Sequence, residues 1–342
     1  MMTATIFLAA LVATMGGELH RTNSIPTGLS GITHVSNDTY YAVNDARALM
    51  VPLNIGIDLA TGQPTNCAMG AAVALEATGR RADLEGIAWD ARAGVVWASD
   101  EFDGSIRAFD PASGKRRAEV ALPAVQDAFR FNLSLESLAI SQDGTEMWTC
   151  NEDALDIKGA HSTRDGIRAK KPRPETQGAD GPASSNKKGA RIRLMRFTRD
   201  SATSPWRLKG EWVYETDPIG GMRFFDQSRS GVADLAVLGD GTILALEREM
   251  SVKSGSFMPS FRCRIYSVDV SSADDVSGNS ALKDFTGRAA KKSLVWGRET
   301  GFTNYEGICE GPRLADGSRT LVLISDADAG AAARVMTLIL RH

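Results

Sequence analysis

The chain has 342 residues, 43% hydrophobic and 24% charged, the balance of a soluble protein with a sizeable core. A formal net charge of -3 gives no electrostatic case for nucleic acid or an anionic membrane surface as partner. The 33 glycines and the scarcity of long apolar helical patterns point instead to short strands joined by tight turns.

The chain opens with MMTATIFLAALVATMGG, an apolar run from Ile6 to Val12 followed by small residues. The run resembles the hydrophobic stretch of a secretory leader, although no Lys or Arg precedes it, and it is too short to span a bilayer. Two readings follow: residues 1–17 are a signal peptide of an exported (periplasmic or extracellular) protein, or they hold an apolar strand that closes a ring. No membrane span is expected elsewhere. Cys67, Cys150, Cys263 and Cys309 lie far apart with no C-x-x-C pair, which argues against a zinc or redox motif. They are read either as two disulfides or as four buried thiols.

Five copies of one pattern follow in order: LSGITHVSNDTYYAVND (29–45), LEGIAWDARAGVVWASDE (84–101), LESLAISQDGTEMWTCNED (135–153), VADLAVLGDGTILALERE (232–249) and YEGICEGPRLADGSRTLVLISDAD (305–328). Each is an apolar strand, a turn rich in Asp, Gly or Asn, and a second apolar strand ending in acidic or amide residues. Asp-Gly within ISQDGTE and LGDGTI is a strong hairpin signal. Third strands follow at SIRAFDPASGK (105–115), RIRLMRFTRD (191–200), RCRIYSVDVS (262–271) and RVMTLIL (334–340), and RRAEVALP (116–123) supplies a fourth. The expected fold is all-β: a single β-propeller of four-stranded antiparallel blades. Five repeats are visible; the spacing between copies favours six blades, with the N- and C-terminal strands sharing one. Residues 156–191 are too polar to supply a core and read as a loop insertion.

The second residue of each copy is Ser30, Glu85, Glu136, Ala233 or Glu306, with Asp234 one step later in the fourth. The antiparallel partner strand ends in Asn44 and Asp45, Asp100 and Glu101, Asn151 and Glu152, Glu247 and Arg248, or Asp326. A strand that returns antiparallel ends where its partner began, so both sets belong on one face around the central channel. Two like charges about 5 Å apart cost roughly 3 kcal/mol at an effective dielectric near 20. Calcium, which takes several hard oxygen ligands in flexible geometry, would relieve such crowding. The expected metal ligands are Asp45, Glu85, Asp100, Glu136, Glu306 and Asp326, and Arg47, Arg130 and Arg248 offer further charge relief and a fork for an anion. The bland reading makes these acids strand caps around a water-filled channel. His34 reads as a strand-surface residue, and no G-x-S-x-G, H-E-x-x-H or P-loop motif occurs.

The motifs LSGI with VNDAR (43–47), LEGIAW with WASDE, RFNLSLESLAIS (130–141) with NEDAL, YETDP (214–218), LALERE, SVDVSSADDVS (267–277), and YEGI with LISDAD run in order across nearly the whole chain. On these the sequence resembles the phytase-like family described as having "esterase-like activity of phytase". It departs from the family pattern at Ser137, where Gly is usual. The resemblance implies a propeller over residues 18–342 and hydrolysis of phosphate or other esters, so the expected partner is a small anionic or ester substrate. Glu85, Glu136, Arg130 and Arg248 are the candidate catalytic residues, and Arg47, Asn132 and Asn151 the candidate substrate-binding ones. The alternatives are a non-catalytic ligand-binding propeller and a calcium-dependent lactonase. A monomer is expected.

Overall fold

The computed structural model describes residues 10–20, 28–45, 47–76, 82–123, 134–152, 189–222, 228–253, 255, 256, 258–279, 282, 285–326 and 333–341, and the statements below concern those residues. Every regular element among them is a strand, and no helix is long and apolar enough to cross a membrane.

The strands form five antiparallel sheets. Blade one runs outward through β2 (Leu29–Ser36), β3 (Thr39–Asn44), β4 (Leu49–Ile57) and an outer strand in two pieces, β5 (Pro64–Met69) and β6 (Val73–Ala74). Blade two is β7 (Leu84–Asp90), β8 (Val95–Asp100), β9 (Ser105–Phe109) and β10 (Arg116–Glu119). Blade three is β11 (Ala139–Ile140), β12 (Glu146–Cys150), β13 (Arg191–Thr198) and β14 (Arg207–Glu215). Blade four is β15 (Arg229–Val237), β16 (Ile243–Val252), β17 (Pro259–Asp269) and β18 (Lys291–Gly301). Blade five is β19 (Asn304–Glu310), β20 (Arg319–Asp326) and β21 (Arg334–Arg341), completed on its outer edge by β1 (Val12–His20) from the other end of the chain.

The propeller thus has five blades among the described residues, where the repeat spacing favours six. The surplus length of the fourth interval does not form a blade. Among the described residues it goes into strands of 10 and 11 residues and into 270–279, 282 and 285–290. These last residues cover the outer strand of blade three: Val276 and Leu282 pack on Val213, and Asp275 bridges to Trp212. The expected sharing of one blade by the two chain ends is present as β1 on β21. The polar loop of 156–191 lies outside the described residues except at 189–191. Cys67, Cys150, Cys263 and Cys309 are free thiols; the last three are buried, and burial pushes Cys150 up to about 12.

Apolar side chains from facing blades fill the spaces between sheets, each core drawing on two neighbours; Leu244, Ile265, Leu323 and Met336 join blades four and five. The inner strands β2, β7, β11, β15 and β19 touch in that order and close on β2. Five strands around one axis approach closely, and the sequence provides for it. A Cβ on Gly31 would lie 2.6 Å from the Glu85 carbonyl oxygen, and one on Gly86 2.5 Å from the Leu138 nitrogen. Gly307 meets the Ser30 carbonyl oxygen in the same way, at 2.6 Å. Blade four carries Asp234 at this position, and its carboxylate ties the strands together. It accepts from the Leu235 and Ile308 N–H groups at 2.8 Å each, and from that of Leu138. Asp234→Ala leaves three interior donors without this partner and is expected to cost roughly 3 kcal/mol, read as a lower urea midpoint at unchanged m.

Candidate functional site

Each inner strand carries an extra residue near its start. Leu84 pairs with Asp100 and Ile87 with Ala98; Tyr305 pairs with Ser325 and Gly307 with Ile324. Blades one and four repeat the shift, and in blade three Leu135 bridges Asn151 while Ala139 pairs with Trp148. A bulge re-aims the side chains of the residues it contains. Those residues are Ser30, Glu85, Glu136, Ala233 and Glu306, so the register explains why the repeat holds its acids at this position.

A second ring comes from the far part of each returning strand: Asp45, Glu101 and Glu152 follow β3, β8 and β12, Arg248 lies within β16, and Asp326 ends β20. The Asp45, Glu101 and Glu152 N–H groups donate to the carbonyls of Gly28, Asp83 and Ser134 at 3.0, 2.7 and 2.8 Å, while Arg248 pairs with Gly231 and Asp326 with Asn304. Where Asp83 opens its strand, a third acid joins the bulge and strand-end pair of blade two.

Asp83, Glu85 and Glu101 each bring a carboxylate oxygen within 4.8 Å of the other two, and Glu101, Glu136 and Glu152 do the same. Glu101 belongs to both groups. Arg248 lies at the second: its Nη2 is 2.8 Å from Glu152 and 3.6 Å from Glu136, and its Nη1 is 2.6 Å from Glu306. Arg229 reaches the other oxygen of Glu152 at 3.4 Å. Among the described residues no ion pair neutralises Asp83, Glu85 or Glu101, whose polar partners include Ser30 for Glu85 and the Ser134 N–H at 3.0 Å for Glu101. Basic partners are therefore unevenly placed: Arg248 and Arg229 meet Glu136, Glu152 and Glu306, and no basic residue among those described pairs with Asp83, Glu85 or Glu101.

Burial, and then the neighbouring acids, push Glu85 and Glu101 well above the carboxylate range. The same causes act on Glu136 against the pull of Arg248. Burial and Asp45 raise Asp83, and burial raises Glu306 against Arg248 and Asn304. Burial works against the charge on Arg248, but Glu306, Glu152, Glu136 and Glu85 outweigh it and push its pKa up. An acid whose pKa is raised on folding stabilises the fold most below its unfolded value and loses that contribution as pH rises through the folded one. In EDTA the protein should therefore unfold at progressively lower temperature as pH rises above the ordinary carboxylate range; a melting temperature that climbs over that interval would contradict the cluster's electrostatics.

The structure brings together Glu85, Glu136, Glu306 and Arg248. Asp45 lies close enough for its field to raise Asp83 and Glu306, outside both carboxylate groups. Asp100 also lies outside them: it accepts from the Asp83 and Phe102 N–H groups at 3.1 Å each and from Arg107 at 3.4 Å, and burial, then Asp103, pushes it up to about 6. Asp326 accepts from the Gly28 N–H at 3.1 Å, and Asn151 from the Arg193 N–H at 2.8 Å. Arg47 is exposed. Arg130 and Asn132 lie outside the described residues. Asp83, Glu101 and Glu152 join the cluster without standing among the expected ligands. Strand alternation carries the missing signal, because the second residue of each terminal pair, not the first, shares a side with the bulge acid.

Five sheets closing one ring, with a carboxylate cluster at the mouth of the inner strands, define a β-propeller with an acidic central site. The family described as "Esterase-like activity of phytase" matches residues 26–329, and the chain belongs to this phytase-like family. No curated protein sequence matches the chain. Among solved structures, a glutaminyl cyclase from Myxococcus xanthus is similar at 10% identity and a TM-score of 0.41, covering 97% of this chain and 98% of that one. A periplasmic gluconolactonase from Pseudomonas aeruginosa is similar at 14% identity and a TM-score of 0.36, covering 89% of this chain and 83% of that one.

Proposed function

We propose that the protein is a calcium-dependent hydrolase of phosphate or other esters acting at the acidic mouth of the propeller. The observation that carries this reading is the sharing of Glu101 between two carboxylate groups, one of them without a basic partner among the described residues. The donor set fits a hard cation: it consists of carboxylate oxygens from blades two and three, with no thiol or imidazole among them. Asp83, Glu85 and Glu101 would hold the ion, with Glu136 and Glu152 at the Arg248 end. Bound there, calcium supplies polarisation of an ester oxygen and a lowered pKa for water.

The protein's own groups would do the rest. Glu136, whose pKa burial and its neighbours already raise, is suited to accept a proton from the attacking water. Arg248 presents a guanidinium held in place by three carboxylates, and once a cation shares those carboxylates it would orient the anionic part of the substrate. p-Nitrophenyl phosphate, phytate, short acyl esters and lactones should be assayed with calcium and then with EDTA. Calcium-dependent turnover that Glu85→Ala removes supports the reading. No turnover on any of them, with wild type and Glu85→Ala alike, would sink it.

A second reading, a non-catalytic binding propeller, draws on the way Arg248 clasps Glu152 and Glu136 of blade three and Glu306 of blade five. It calls for ligand-induced thermal stabilisation without turnover, since a ligand that binds only the folded state raises its stability.

A further inference from the structure

The N-terminal part of the chain that is described, from Ala10, enters the fold as a strand; residues 1–9, which hold most of the apolar run, lie outside the described residues. From Val12 opposite Arg341 to His20 opposite Arg334, strand β1 pairs along the whole of β21 and completes blade five. Ala13 is buried among Leu321, Leu323, Met336 and Leu338, and Leu11 packs against the same core. The small residues that read as the end of a leader are Gly16 and Gly17, and both lie where this strand meets blade one. A Cβ on Gly16 would stand 2.6 Å from the Gly62 carbonyl oxygen and 2.9 Å from Thr337 Oγ1; one on Gly17 would stand 2.8 Å from Pro64 Cδ. Thr337 Oγ1 donates to the Gly62 carbonyl at 2.6 Å, fastening blade five to blade one at this point. One residue on, Glu18 accepts from the Tyr305 hydroxyl at 2.8 Å and pairs with Arg334 at 2.9 Å. Tyr305 immediately precedes Glu306, the blade-five acid that holds Arg248. The closing pair β1 and β21 lies outside the matched residues 26–329.

We propose that Leu11–His20 is a permanent latch of the folded protein. Proteolytic trimming of the N-terminus, where it occurs, ends before Leu11, and a cut near Gly17 opens the ring and loosens the bulge that carries Glu306. The latch follows from strand pairing alone and stands whether or not the site binds calcium.

The full chain is to be produced in a secreting bacterial host and the folded protein of each compartment weighed intact. Species beginning at or before Leu11 are expected. A folded protein beginning at Gly17 or later, with the same thermal transition as the full chain, overturns the proposal. Independently, protease sites are placed between Ala10 and Leu11 and between Gly16 and Gly17. Cutting the first should move the thermal transition by no more than about 2 °C, and cutting the second should lower it by about 10 °C or more. Equal transitions after both cuts overturn the latch. Should the second insertion fail to fold, Gly17→Val in the otherwise intact chain takes its place, with exposed Val12→Ser as control. A lowered transition for Gly17→Val alone is expected, and an unchanged one overturns the proposal.

Discussion

Glu101→Gln is expected to abolish the thermal stabilisation that calcium gives the wild-type protein, and with it calcium-dependent hydrolysis. Glu101 is the residue common to both carboxylate groups, so its loss weakens each of them. The amide still accepts the Ser134 N–H through its carbonyl oxygen, which spares the link between blades two and three. A ligand present at about 100 times its Kd stabilises the folded state by about 2.7 kcal/mol. Weakening the site roughly 100-fold removes nearly all of that at the same calcium concentration. Asp100→Asn is the paired control, because Asp100 lies outside both groups and accepts from Asp83, Phe102 and Arg107. The two variants should separate in a thermal shift titrated with calcium. Equal responses would show that the ion, if bound, is not held at Glu101.

Arg248→Met is expected to be the most destabilising single change at the site. Removing the guanidinium leaves Glu136, Glu152 and Glu306 buried beside one another without the cation that contacts all three. Stranding buried charges in this way costs about 3–5 kcal/mol, measurable as a lower urea midpoint at neutral pH. The loss should shrink at acidic pH, where the raised carboxylates of the cluster take up protons and no longer need a partner. It should also shrink in calcium, which would supply the missing positive charge. A loss of the same size at both pH values would mean that Arg248 acts through packing and not through charge.

The repeated L-E-G and its relatives, with acidic residues at the end of the following strand, are enough to place both sets on one face, since an antiparallel strand returns to its starting edge. Glu85, Glu136, Glu306 and Arg248 were reached that way, and the structure gathers them. Choosing between neighbours was harder. Asp100 and Glu101 stand side by side, and only the pairing of Leu84 with Asp100 shows that Glu101 is the residue beyond the ladder, facing the bulge. Asp83 had no signal of its own, because its place depends on pairing with Glu101 across the strand mouth. The blade count went astray for a related reason: strand length and the packed residues at 270–279, 282 and 285–290 consume chain as readily as a blade does.

At the N-terminus, an apolar run followed by two glycines suits a leader and a closing strand equally well; Val12–His20 pairs with β21, while residues 1–9 lie outside the described residues. The order of residues alone determined the propeller class, the antiparallel blades and the face on which acids collect, because hairpin periodicity and turn chemistry are local properties. Tertiary structure decided that, among the described residues, five blades close the ring, that Glu101 joins two carboxylate groups and that Arg248 reaches two acids of one of them. Those outcomes depend on contacts between residues far apart in sequence, which become neighbours only when the ring closes.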